Sequence, residues 1–301
     1  MPAAVREMKK HSPSASSRWL ARLKPALERL YEKYNRRDLI QTDPLQFVYH
    51  YSSRADREIA GLLAATLAYG KVRQIEKSLS RLFEYMGKSP STFVRDFDVR
   101  KRAQLRDFKH RFTTGDDLSD LLELLRTVLE EFGGLEQYFA RGYSSGDATI
   151  IPALSKFCDS LCAAYAKGHS GRVSGGLKYL LASPTRNSAC KRLNLFLRWM
   201  VRDDDVDAGL WRSIDKARLI VPVDVHIGRL CKILGFYDRK SISLAAATEI
   251  TESFAELEPA DPVKYDFALS RIGIVENCDG SYRPACADCE LLEFCRNNPY
   301  D

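Results

Sequence analysis

Apolar residues recur at helical spacing along most of this chain, and that periodicity limits the fold more than any other feature. Leu20, Leu23, Ala26, Leu27 and Leu30 form one stripe, and Ile227, Leu230 and Leu234 form another. A period of 3.6 residues places such positions on one helix face. The segment from Ala55 to Met86 reads as a buried helix, IAGLLAATLAYG, followed by an amphipathic one carrying Val72, Ile75, Leu79 and Leu82. Further helices are expected at Leu118–Phe132, Leu154–Tyr165, Ala189–Arg202, Val225–Leu234, Ala245–Phe254 and Val263–Ile274. Gly235 stands where the Val225 helix should stop. Gly168–Gly176 reads as a loop, and no alternating strand pattern or internal repeat is visible. The expected class is all-α.

The 301 residues are 45% hydrophobic, a normal figure for a globular chain with ample core. No run of uncharged apolar residues is long enough to span a bilayer, and the N-terminus has no signal-peptide core. A cytoplasmic protein without a membrane partner is therefore expected. The net charge of +6 is concentrated in residues 1–37, which hold ten Lys/Arg against three acids. The remainder is close to neutral, so charge alone does not establish a nucleic-acid partner. Residues 1–17 are expected to form a frayed basic tail.

Eight cysteines occur, and none lies in the first 157 residues. Cys278, Cys286, Cys289 and Cys295 crowd the C-terminus as C-x7-C-x2-C-x5-C. Thiolates in this number select zinc, copper(I) or iron–sulfur clusters. Structural zinc modules usually pair two short cysteine knuckles, and only one is present. A [4Fe–4S] cluster suits the wider gaps, with zinc as the alternative. Cys158, Cys162, Cys190 and Cys231 read as buried thiols.

This loop resembles the C-terminal iron–sulfur loop of the endonuclease III and MutY type of helix-hairpin-helix DNA glycosylases. Their usual spacing has one residue fewer in the first gap. Val223-Asp224-Val225-His226-Ile227-Gly228-Arg229 is similar to the VDTHV-x-R segment of that superfamily. The resemblance implies a two-lobed fold, with a central lobe at about 55–181. The second lobe would combine 18–54 with 182–277, and 278–301 would be the cluster loop. It also implies a catalytic role for Asp224, while an N-cap role follows from its place before an apolar-periodic helix.

One departure is plain. The glycine-rich hairpin of that superfamily should precede Asp224, but the chain reads DDDVDAGLWRSIDKARLIVP there. The hairpin lysine has no matching place. Lys191, 33 residues before Asp224, is similar to the lysine of the archaeal 8-oxoguanine glycosylase branch (Agog), whose hairpin also departs from the usual form. The NSACKRLNLFLRWMVR wording and the segments DREIAGLLAATLAYG and PVKYDFAL also resemble an uncharacterised bacterial family of unknown function, from about Leu30 to Ile274.

The expected activity is a DNA repair glycosylase with possible AP lyase action, working as a monomer on duplex DNA with a damaged base or abasic site. Lys191 would attack the sugar as a neutral amine. Arg192, Arg229 and Arg283 are the expected DNA contacts, together with basic stretches at 101–111 and 216–240. Tyr69, Trp199 and Trp211 are candidates for an aromatic base pocket. Relatives often carry a gap-filling glutamine near Tyr69, and LAYGK lacks it. The alternatives are a non-catalytic iron–sulfur nucleic-acid-binding protein and an electron-transfer protein.

Overall fold

The computed structural model describes residues 13–299. The architecture is helical: α1 (Pro13–Tyr34), α2 (Arg54–Thr66), α3 (Val72–Met86), α4 (Pro90–Arg95), α5 (Val99–Gln104), α6 (Gly115–Phe132), α7 (Leu135–Ala140), α8 (Ile151–Gly168), α9 (Gly175–Leu180), α10 (Lys191–Val201), α11 (Val225–Ile233), α12 (Leu244–Leu257) and α13 (Asp266–Ile274). The only strands among the described residues, β1 (Lys109–His110) and β2 (Thr113–Thr114), form a small antiparallel hairpin. That hairpin lies in a stretch with no sequence signal for strands, because two residues per strand cannot establish an alternation.

The helix starts follow from capping chemistry. Ser53, Ser89, Asp98, Thr114, Ser174 and Asp224 each accept a backbone N–H from the first turn of the helix they open. Such caps satisfy donors that have no partner inside the helix. Gly235 adopts φ +79° just past α11, which an L side chain rarely adopts. The helix expected from Arg18 begins earlier, at Pro13, so the expected tail overlaps the first turns of α1. The rest of that tail, residues 1–12, lies outside the described residues.

The buried residues form one connected cluster from Leu20 to Phe294. Helix α6 packs on α4, α7, α8 and α9, while α1, α12 and α13 pack together and α11 lies against α13. Helix α2 joins these groups: it packs on α10 and on the 3-10 turn Pro44–His50. Sequence reasoning assigned those two partners to the second lobe and α2 to the central one.

The connection from α10 to α11 contains one short 3-10 turn, Lys216–Arg218, and no second helix. A buried charge lock occupies this place. Arg198 pairs with Asp207 (3.1 Å) and with Asp266, and Arg202 pairs with Asp207, Asp204 (2.8 Å) and Asp261 (3.0 Å). Arg198, Arg202, Asp207, Asp261 and Asp266 are all buried. Charges at such depth persist only when paired. The run DDDVD thus supplies counterions to Arg198 on α10 and to Arg202 just past its end.

Candidate functional site

Lys191 is the first residue of α10, and Asp224 caps α11. Asp224 Oδ1 accepts the backbone N–H groups of His226 and Ile227, both at 2.9 Å. Its other oxygen, Oδ2, lies 3.8 Å from Lys191 Nζ. The amine also donates to the Ala68 carbonyl at 3.5 Å. One carboxylate oxygen is thus committed to the helix and the other to the lysine. The cap and the charge pair coexist.

Two cavities meet at Lys191, and Asp224 lines one of them. One, of about 430 Å³, is lined by Lys191, Asp224, His226, Asp266, Arg271 and Tyr69 among others. The second, of about 420 Å³, lies on the other side of Lys191, against Cys190, Arg192, Ala182 and Ser243. Ala68, Tyr69, Lys191, Val223 and Ile242 line both. Each volume falls in the range of small-ligand sites.

Below Asp224 lies a carboxyl that sequence reasoning missed. Burial pushes Asp266 up to about 6; Arg198 opposes the shift, and the charge of Asp224 adds to it. Arg271, also buried, pairs with Asp43 at 3.3 Å. The only sequence signals were acids and arginines inside otherwise apolar helical runs, such as Asp266 in PVKYDFAL.

The structure redistributes the other expected residues. Tyr69 stands at the cleft, its hydroxyl donating to the His110 carbonyl at 2.8 Å. Trp199 and Trp211 do not line the cleft, contrary to expectation. They are 0% and 1% exposed, and Trp211 Nε1 donates to the buried Glu58 at 2.9 Å. Both rings lie on inward faces fixed by core packing, which local sequence cannot separate from a pocket. Arg192 is clamped: it donates to the carbonyls of Thr66 (2.7 Å) and Tyr179, with its guanidinium over the rings of Tyr69 and Tyr179. Cys190 donates to the Ala182 carbonyl at 3.0 Å, and burial pushes its thiol up to about 11, so it is a held thiol.

Cys278, Cys286, Cys289 and Cys295 line a single cavity of about 40 Å³ between α11 and the C-terminal loop. Its other walls include Leu230, Ile233, Leu234, Ile272, Leu291 and Leu292. Burial raises the Cys289 thiol, and the other three cysteines push it the same way. The backbone N–H of Arg283 points to Cys286 Sγ at 3.3 Å. Among the described residues no three His, Cys, Asp or Glu side chains are gathered as a single metal ion requires. The soft donor set fits a thiolate-bound group.

Arginines brace this loop. Arg229 donates to the Cys278 carbonyl at 3.3 Å, and Arg283 pairs with Asp279 and donates to the Asn277 carbonyl at 3.2 Å. Both remain exposed to solvent. The loop acids have partners on α1, where Arg29 meets Glu290 at 2.6 Å and Arg22 meets Glu293. Trp19 of α1 sits edge-on to Phe294.

The basic stretches are also partly paired. Arg102 meets Asp120 at 2.8 Å, and Arg239 meets Glu249 at 2.9 Å. Lys216 and Lys232 have acidic partners as well. No helix among the described residues is long and apolar enough to cross a membrane.

A family model described as "Protein of unknown function (DUF2400)" matches residues 43–275. The chain belongs to that family. The DUF2400 match includes Lys191, Asp224 and Asp266 and ends before Cys278. It thus contains the cleft and stops short of the cysteine loop. No curated protein and no solved structure matches the chain.

Proposed function

We propose that this protein is a DNA glycosylase with AP lyase action, in which Lys191 and Asp224 act on the sugar of a damaged nucleotide. The observation that carries this reading is the 3.8 Å approach of Lys191 Nζ to Asp224 Oδ2 in a cleft that both line, with Lys191 also lining the second cavity. A carboxylate at that distance can accept a proton from the amine after a small movement. The neutral amine then attacks C1′ of the sugar. The bond from C1′ to the base breaks, and its electron pair leaves on the base. Opening of the sugar ring gives a Schiff base between Nζ and C1′. The proton taken by Asp224 passes to the departing base, and a second amine proton moves to the ring oxygen as the ring opens. The Asp224 carboxylate, ionised again and still anchored through Oδ1, then stabilises the positive charge of the Schiff base at C1′.

The four C-terminal thiols support a [4Fe–4S] cluster, with zinc as the alternative. When bound, that group contributes cross-linking of the loop, and it takes no part in the sugar chemistry. The iron–sulfur loop of the glycosylases and the segment around Asp224 remain the sequence grounds for duplex DNA as substrate.

The test is borohydride trapping on oligonucleotides that carry an abasic site or one of a panel of lesions. Reduction of the Schiff base leaves protein covalently joined to DNA. Lys191→Gln should abolish the adduct while DNA binding persists. A wild-type protein that binds abasic DNA but forms no adduct would refute the lysine mechanism and favour a non-catalytic DNA-binding protein.

A further inference from the structure

The hairpin between β1 and β2 carries a feature that the Lys191–Asp224 chemistry does not use. Phe112, at its tip, is 71% exposed, whereas His110 and Thr113 on either side are 0% exposed. The two buried residues hold the tip firmly. The His110 ring is bonded to Ser78 Oγ (2.9 Å) and to the Tyr69 carbonyl (3.0 Å), and Thr113 Oγ1 lies 2.7 Å from the Tyr69 hydroxyl. Arg111 adopts φ +51°, a conformation that costs free energy for a residue with a Cβ. An exposed Phe also forgoes the burial that usually stabilises it. The hairpin therefore maintains an unfavourable arrangement on an anchor that belongs to the cleft, since Tyr69 lines both cavities.

The surroundings of Phe112 are cationic and aromatic. The Arg111 guanidinium lies 5.4 Å from its ring centre, and Tyr179 is edge-on at 6.5 Å. Arg106 and Lys109 are exposed nearby in the chain. Arg111 also runs along Gly70 at the cleft wall, where an added Cβ would meet Arg111 Cδ at 2.7 Å. An exposed ring beside arginine suits a flat π-face next to phosphates.

We infer that Arg111 and Phe112 form a stacking wedge for the base stack of DNA. Phe112 fills the space beside a missing or displaced base, and Arg111 holds the adjoining phosphate. The inference rests on the DNA reading above for its class of partner. Phe112 thus takes the place that Tyr69, anchored beneath the hairpin, does not fill.

The experiment uses the full chain and a duplex with 2-aminopurine opposite a tetrahydrofuran abasic analogue. A fully paired duplex of the same sequence serves as reference. Wild type should change the 2-aminopurine fluorescence and bind the abasic duplex more tightly than the paired one. Phe112→Ala should lose the fluorescence change and weaken abasic binding on the order of tenfold, the scale of one lost base–aromatic stack. Its binding to the paired duplex should stay within about twofold. Phe112→Trp should keep both signals. A Phe112→Ala protein that matches wild type in fluorescence and affinity overturns the wedge, whatever borohydride trapping shows. Retained stacking with no trapping would instead remove the lysine chemistry and leave the wedge standing. Failure of wild type to bind either duplex overturns both.

Discussion

Asp224→Asn and Asp224→Ala separate the two jobs of one side chain. Oδ1 accepts two backbone N–H groups at 2.9 Å, and Oδ2 faces Lys191 at 3.8 Å. Asparagine keeps an oxygen for the cap but loses the charge. Asn and Asp are near-equal caps, and loss of a cap to alanine costs about 1 kcal/mol. The lost ion pair is partly exposed, at 31% for Lys191 and 24% for Asp224, so it adds only about 0.2–1 kcal/mol. Loss of a negative charge at the helix start costs about 0.3–1 kcal/mol more. Asn should therefore destabilise by roughly 0.5–2 kcal/mol, and Ala by about 1 kcal/mol beyond that. Base release should behave differently. Both variants should slow single-turnover release by on the order of 10²-fold, because both remove the charge that stabilises C1′. Urea unfolding measures the first effect and lesion-containing duplex the second. Wild-type release by Asp224→Asn would show that Asp224 serves only as a cap.

Cys286→Ala should lose the yellow-brown colour expected of about four iron atoms per chain and loosen the C-terminal loop; iron and zinc analysis checks this, and a colourless wild type holding one zinc would refute the cluster. Affinity for duplex DNA should fall with salt, with roughly three to six counterions released. That modest slope follows from basic residues already paired within the fold, and a salt-independent affinity in a titration would contradict it. Asp266 should contribute a stability that declines as pH rises from 3.8 to about 6, because the folded state holds its proton over that window and the unfolded state does not. Urea midpoints across that window should fall less steeply with pH for Asp266→Asn, even though loss of the partner to Arg198 lowers its stability throughout. Equal slopes would show that Asp266 is ionised in the fold.

The helices of this protein are written locally. Apolar residues at 3.6-residue spacing commit a segment to one buried face, and Ser, Thr or Asp at the start of a turn commits its first N–H groups. Asp224 was legible as a cap for that reason, and the C-terminal thiols were legible from spacing alone. Tertiary packing decided what each side chain meets. Local sequence reads Trp199, Trp211 and Tyr69 alike as aromatics near a motif. Packing buries the first two and leaves the third at the cleft. Arg192 reads as a phosphate contact until Thr66, far away in the chain, and Tyr179, on the preceding helix, offer it carbonyls. Phe112 gives no local signal at all. It becomes conspicuous because His110 and Thr113 are anchored from distant segments and hold it in solvent. Periodicity and capping act over one helical turn, so a single sequence contains them. Burial and charge pairing depend on which segments meet, and the Lys191–Asp224 approach joins two helix starts that only the folded chain brings within 3.8 Å.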